Sequence, residues 1–260
     1  MPTYLHLVRH AQGFHNLSVI NQQITDPELT PLGKQQCAEL QKLFPFHDKV
    51  THLVASPMRR TVYTCLLSFE PASKAGKVII AFPEIQEVSG LPCDTGSSQK
   101  RLEAEFEPSQ VDFSRLTPDW NDKSPNTPWA PVISKLEARA KKARIWLRSL
   151  GAEVTDGDAH IVAVTHGGFL HLLTQDWDGM DPTRGTGWEN TEYRTYEFVD
   201  PSGADPEARL QETKASWRSR RGSAKGLTET EQQQLRIALQ RSMQEFLDQE
   251  QEARKAHDSQ

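Results

Sequence analysis

Two strings, far apart in the chain, carry residue types suited to chemistry. Leu5-His6-Leu7-Val8-Arg9-His10-Ala11-Gln12-Gly13 sets an arginine beside a histidine. Ile161-Val162-Ala163-Val164-Thr165-His166-Gly167-Gly168 ends an apolar run in a histidine and two glycines. A guanidinium is a fixed positive fork that fits phosphate oxygens, and a neutral imidazole is a nitrogen nucleophile. The Arg9-His10 pair therefore suits attack on phosphorus while the oxygens are held. Amides at a helix start attract an anion and glycines let it approach, a role open to the amide of Gly167. An Arg-His pair alone recurs by chance. Two strand-end histidines, one after Arg and one before Gly-Gly, are hard to explain as packing.

Such residues need rigid supports. Tyr4–Val8 alternates like a short buried strand, and Ile161–Val164 reads as another. Side chains just beyond the carboxyl ends of strands face the crevice where open α/β sheets bind ligands. Residues 50–55, 77–82 and 191–199 read as further strands. Thr30-Pro31 and Ser56-Pro57 read as helix starts, each a capping hydroxyl followed by a proline tolerated in the first turn. Residues 132–150 form a long amphipathic helix ending at Gly151. Strands alternating with helices predict an α/β three-layer sandwich around a mostly parallel central sheet. Residues 97–129 predict a short helix (98–106) and then a loop with Trp120 and Trp129, a pattern expected of a lid that contacts substrate, with a flap that only shields the core as the alternative.

Four ordered blocks in residues 4–174 resemble the histidine phosphatase superfamily, in its phosphoglycerate mutase-like branch 1 and among its fungal-type phosphatase-like members. Arg9-His10-Ala11 matches the Arg-His-Gly signature with Ala in place of Gly, and Thr165-His166-Gly167 matches the second-histidine signature. Asp26-Pro27-Glu28-Leu29-Thr30-Pro31-Leu32-Gly33-Lys34-Gln35-Gln36 and Ser56-Pro57-Met58-Arg59-Arg60-Thr61-Val62-Tyr63-Thr64 match the two blocks between them. The resemblance implies a phosphoglycerate mutase-like fold and a metal-independent phosphoric monoester hydrolase of histidine acid type, without a cofactor. It implies His10 as nucleophile and Arg9, Arg60, a protonated His166 and the Gly167 amide as holders of the phosphoryl oxygens. Asn16 falls where the family places a phosphate-binding Asn, and Glu87 where it places its acid. Asp94, on a nearby turn, is the alternative acid. Arg59 and Glu84 are expected on the surface and His6 in the core; His15 reads as a solvated loop histidine, with contact to substrate as the alternative. Between Glu87 and Lys100 there is no positive charge to hold a second phosphate. That favours hydrolysis of a small phosphorylated metabolite over the alternative, a phosphoglycerate mutase-type phosphotransferase.

The net charge of −5 resides in the first 200 residues, which argues against nucleic acid as the partner. Three cysteines without metal or redox spacing suit an intracellular chain with free thiols. No basic-then-apolar leader opens the chain and no run approaches spanning length. A cytoplasmic protein, possibly also nuclear, is expected, with no membrane contact. No His, Asp or Glu cluster has metal-ligand spacing. Residues 1–200 are expected to form the catalytic domain, 201–226 a charged linker, and 227–258 a helix. Leu235, Ala238, Ser242 and Glu245 in that helix resemble a ubiquitin-interacting motif, although Gln232-Gln233-Gln234 replaces most of its leading acids. Ubiquitin binding or scaffolding is one use of the stripe; docking on its own domain or pairing with itself is another.

Overall fold

The computed structural model describes residues 1–181 and 186–258. Strands β1 (Thr3–Arg9), β2 (His52–Ala55), β3 (Ile79–Ala81), β4 (Val111–Asp112), β5 (Ala159–Thr165), β6 (Tyr193–Phe198) and β7 (Leu210–Glu212) form one sheet. Its order is β4-β3-β2-β5-β1-β6-β7. The first five strands in that order are parallel, and β6 and β7 add antiparallel pairs at the far edge. The helices are α1 (Pro31–Leu43), α2 (Arg59–Ser68), α3 (Glu70–Lys74), α4 (Gln99–Glu105), α5 (Ile133–Ala152), α6 (Gly167–Thr174), α7 (Lys214–Arg221) and α8 (Glu229–Asp258).

Period-two alternation divides each central strand between two cores. Leu5, Leu7, Ile161 and Ala163 pack under Leu136 and Leu147 of α5 and Phe169 and Leu170 of α6. Val8, Val162 and Val164 point the other way, onto Leu40 of α1 and Val62 and Cys65 of α2. Both faces of the parallel part are covered, which is why β5 reads as an unbroken apolar run. His6 sits within this packing, bonded to Thr195 Oγ1 and His160 Nδ1, each at 3.0 Å.

Register then places the chemistry. Arg9 lies opposite Thr165 on neighbouring strands, so the chain leaves β1 and β5 at the same level, with His10 and His166 next in line. Ala55 lies opposite Val164, so Ser56 emerges beside them from β2.

Several expectations need correction. Residues 201–226 are not an extended linker: Leu210–Glu212 joins the sheet as β7, and Thr213 caps α7 by accepting the Ser216 amide. Helix α2 starts at Arg59 with Met58 at its cap, so Ser56 does not cap it. Trp120 and Trp129 are buried rather than turned to substrate, and Trp120 fits so closely over Gly96 that a Cβ there would lie 2.1 Å from its ring. The apolar stripe of α8 packs on the body. Met243 and Leu247 are buried in the core shared with α5 and α6, while Leu235 and Leu239 are half-buried against it. Gln240 donates to Glu137 at 2.6 Å, and Arg236 pairs with the same carboxylate. Of the positions matching the ubiquitin-interacting pattern, Ala238, Ser242 and Glu245 are exposed.

With its side chain fully enclosed, Leu247→Ala is expected to lower the unfolding free energy by about 2–5 kcal/mol. Urea unfolding of the whole chain measures this, and a change below about 0.5 kcal/mol, the surface-substitution range, would mean that α8 does not dock.

Candidate active site

The site lies at the carboxyl ends of β1, β2 and β5, where three chain segments leave the sheet. His10 takes its main-chain position from β5, its N–H donating to Thr165 O at 2.9 Å. Asn190 Nδ2 donates to His10 O at 2.8 Å from the far side. The His10 ring is oriented by Nδ1, which donates to Ala11 O at 2.8 Å. That bond puts the proton on Nδ1 and leaves a lone pair on Nε2. Nε2 faces the Nε–H of Arg60 at 3.3 Å, a long bond that a reacting phosphorus can displace. Burial, followed by the charges of Arg60, His15 and Arg9, holds His10 well below the ordinary imidazole pKa. His10 is therefore held neutral, with a lone pair on Nε2.

Arg60 connects the parts. It is fully buried and places Nη2 3.0 Å from both Asp94 Oδ1 and His166 Nδ1, and Nη1 2.6 Å from Cys93 O. Its neighbour Arg59 points away to Glu105 and Glu28, as adjacent helix positions must. The rings of His10 and His166 lie 5.2 Å apart at 62°. Because Arg60 only donates, His166 Nδ1 accepts, and its Nε2–H donates to Ser56 Oγ at 2.8 Å. Burial and then the Arg60 charge push the His166 pKa well down. The protonated His166 expected from sequence is thus neutral here, and a bound dianion supplies the charge that would reverse this.

Glu87 lies where α6 begins. Its carboxylate accepts the amides of Phe169 at 3.0 Å and Gly168 at 3.3 Å, as well as that of Val88 at 3.0 Å. A Cβ on Gly168 would lie 2.8 Å from Glu87 Oε1, so the second glycine makes this approach possible. Burial and the nearby Asp94 raise the Glu87 pKa, against the opposing pull of Arg60 and the amides. Asp94 is engaged differently, paired with Arg60 and accepting from Ser89 Oγ. Arg9 donates to Trp188 O, and its Nε is buried without a partner. Asn16 is exposed, and its Oδ1 accepts the Gly13 amide at 3.0 Å, which leaves Nδ2 as the donor it can offer. The Gly167 carbonyl accepts from Thr186 Oγ1 at 3.2 Å.

The fold also brings in residues that the motifs did not mark. Lys123, from the insertion expected to be a lid, is buried, and its Nζ donates to Glu87 O at 3.1 Å. Arg139 of α5 donates to Gln86 O at 2.9 Å and to Glu87 O at 3.2 Å. Both cations were invisible in the linear run after Glu87. Burial pushes the Lys123 ammonium well below its usual range, with Arg139 adding to the effect. Glu84, expected on the surface, is buried and paired with Lys142. His15, read as a solvated loop histidine or a substrate contact, is half-buried beside His10, with ring centroids 5.3 Å apart and planes tilted at 47°. Only a hydroxyl at the end of β2, level with Thr165, could have flagged Ser56; nothing local flagged Lys123. Among the described residues, no group of three or more His, Cys, Asp or Glu is placed to hold a metal ion. No helix among the described residues is long and apolar enough to cross a membrane.

Residues 5–209 match the family model of the histidine phosphatase superfamily (branch 1). Phosphoglycerate mutase-like protein 1 of Arabidopsis thaliana is 30% identical over 206 residues, covering 65% of this chain and 70% of that one. The fold is shared with a mycobacterial glucosyl-3-phosphoglycerate phosphatase complexed with VO3 (TM-score 0.51, 20% identity, 81% of this chain and 97% of that one). It is shared also with the ecdysone phosphate phosphatase of Bombix mori in complex with tungstate (TM-score 0.51, 13% identity, 75% and 88%).

Proposed function

The chain belongs to branch 1 of the histidine phosphatase superfamily, and from that premise we propose that it hydrolyses a small phosphomonoester through a phosphohistidine at His10. The observation that carries this reading is the fixed tautomer of His10, with Nδ1–H on Ala11 O, the Nε2 lone pair facing Arg60 Nε, and the His166 ring 5.2 Å away. The oxyanions bound by the two phosphatases of this fold, VO3 and tungstate, support a phosphoryl group as the occupant.

In the first step His10 Nε2 attacks phosphorus. The P–O bond to the leaving group breaks, and that oxygen takes the Glu87 proton. Arg9, Arg60, His166 and the Gly167 amide stabilise the charge on the three transferring oxygens. Asn16 Nδ2 adds a neutral donor. In the second step water gives its proton to the Glu87 carboxylate and attacks phosphorus. The P–N bond breaks, His10 recovers its lone pair, and phosphate departs. Denaturing the chain in alkali during turnover should trap a phosphoryl group on residue 10, read by mass spectrometry; a label on another residue would refute the assignment.

Glu87 serves as the acid in this scheme because its carboxyl is biased toward the protonated form, whereas Asp94 is tied to Arg60 as a counter-charge. Glu87→Gln is expected to slow an alkyl phosphate by about 10²–10⁴-fold, the usual worth of a positioned general acid. A nitrophenyl phosphate, whose leaving oxygen needs no proton, should slow far less. Equal losses on both esters would transfer the role to Asp94. The wild-type rate on the alkyl ester should fall as pH rises through the Glu87 pKa, because only the protonated carboxyl donates.

Lys123 and Arg139 favour a second reading, transfer to another phosphorylated acceptor as in a mutase, since they place a guanidinium and a second basic side chain behind Glu87. Both already bind the Glu87 carbonyl, which is why hydrolysis is preferred. For the rest of the chain, residues 1–200 are proposed to carry the chemistry and α8 to brace it. Ubiquitin would compete with the body for Leu235 and Leu239, so that use of the helix requires its release.

A further inference from the structure

His15 is a half-buried imidazole with an enclosed Nδ1 and no task in the reaction described above. It lies on the one-turn 3-10 helix Phe14–Asn16 that follows the β1 exit. Its ring is 5.3 Å from that of His10, on which His166 also converges. Its Nδ1 is buried and has no hydrogen-bond partner among the described residues. The ring lies so close over Gly13 that a Cβ there would come within 2.7 Å of Nδ1. The loop is therefore shaped around the imidazole, which is not a side chain left at the surface.

The surroundings lack a group that would satisfy it. Asp26 accepts the amides of Arg59 and Ser97, Glu28 pairs with Arg59, Asp94 with Arg60, and Glu87 caps α6. Arg9 Nε is likewise buried and unpartnered. Those carboxylates are thus engaged elsewhere, while the Arg9 Nε donor and one ring nitrogen of His15 lack partners among the described residues, and an enclosed polar atom is unfavourable until a partner reaches it. Burial and the facing charges of Arg60 and Arg9 hold His15 neutral, with its pKa down to about 2. A neutral imidazole beside two guanidiniums adds a donor without adding repulsion, and the acceptor that matches such a surplus is an anion with several oxygens.

We propose that His15 is a third imidazole of the catalytic site, donating a ring N–H to an oxygen of the phosphoryl group that His10 attacks. This rests on the phosphomonoesterase reading and assigns a further contact within the same site. The alternative is a ring that merely packs on His10 and fixes its orientation.

Two substitutions in the full chain separate these roles. His15→Phe keeps a ring against His10 and removes the donor, whereas His15→Gln removes the ring and keeps an N–H. Hydrolysis of a nitrophenyl phosphate and calorimetric binding of inorganic phosphate are measured for all three proteins. His15→Phe is expected to lower kcat/KM by roughly 10–100-fold, somewhat less than loss of a fully enclosed oxyanion donor, and to weaken phosphate binding. His15→Gln should recover most of both. A phenylalanine variant equal to wild type, or better than the glutamine variant, would overturn the donor role. A wild-type chain that binds phosphate without hydrolysing the ester would overturn the hydrolase reading alone, and the two binding constants would then decide on His15. A wild-type chain that does neither would overturn both.

Discussion

His10→Ala is expected to reduce phosphate release from an aryl phosphate by roughly 10⁴-fold or more, the scale of loss when an enzyme's nucleophile is removed. Residual rate comes from the groups that remain. Arg60 and His166 still polarise the phosphoryl oxygens, but water must attack without a covalent intermediate. The wild-type rate should persist in chelator, because His10 supplies the nucleophile that a metal-bound water would otherwise supply. Added imidazole offers a sharper check. The ring of His10 is enclosed, so alanine leaves a space beside Ala11 O and Arg60 that a free imidazole can enter. Partial recovery with imidazole would show that the missing nitrogen, rather than a disturbed fold, causes the loss. An alanine variant as active as wild type would move the chemistry to a different part of the molecule.

The fold was legible in the sequence wherever burial imposed a period. β1 and β5 announced themselves because a parallel strand covered on both faces must be apolar almost throughout. Their shared level was not readable, since register depends on pairing rather than on either string; it is the Arg9–Thr165 pairing that brings His10 to His166. Arg60 could be told from Arg59 because it aligns with the family's arginine, and neighbouring helix residues then send Arg59 in a different direction. The edge of the sheet was not legible. β7 contains Leu210–Glu212, too few residues to display alternation within a charged stretch, and its stability comes from pairing with β6. Capping chemistry misled at Ser56, where the hydroxyl serves His166 across a tertiary contact that no local pattern encodes. Lys123 was missed, and His15 was weighed toward solvent, for one reason: a loop residue carries no periodic mark of burial. Trp120 illustrates the opposite error, since a large aromatic in an insertion resembles a ligand contact but here fills the core beside Gly96.

Arg60→Lys is expected to lower kcat/KM by about 10²–10³-fold even though the charge is kept, because an ammonium cannot reproduce a planar fork. The guanidinium makes four contacts, to His10 Nε2, His166 Nδ1, Asp94 Oδ1 and Cys93 O. A lysine has three donors on a mobile stem. Arg60→Met should do more, for two reasons. It leaves Asp94 buried without its partner, and breaking a buried pair typically costs 3–5 kcal/mol of stability. It also removes the largest charge depressing the His10 pKa, second only to burial itself. His10 works in its deprotonated form, so a lowered pKa keeps it active in mild acid. Loss of the Arg60 charge raises that pKa, and the acid limb of kcat/KM should move to higher pH in the methionine variant while remaining near its wild-type position in the lysine variant. Profiles measured on a nitrophenyl phosphate isolate this limb, since that ester makes little demand on Glu87. An acid limb that stays in place in Arg60→Met would mean that burial alone holds His10 neutral, and a shift to lower pH would contradict the assignment of His10 as the free base.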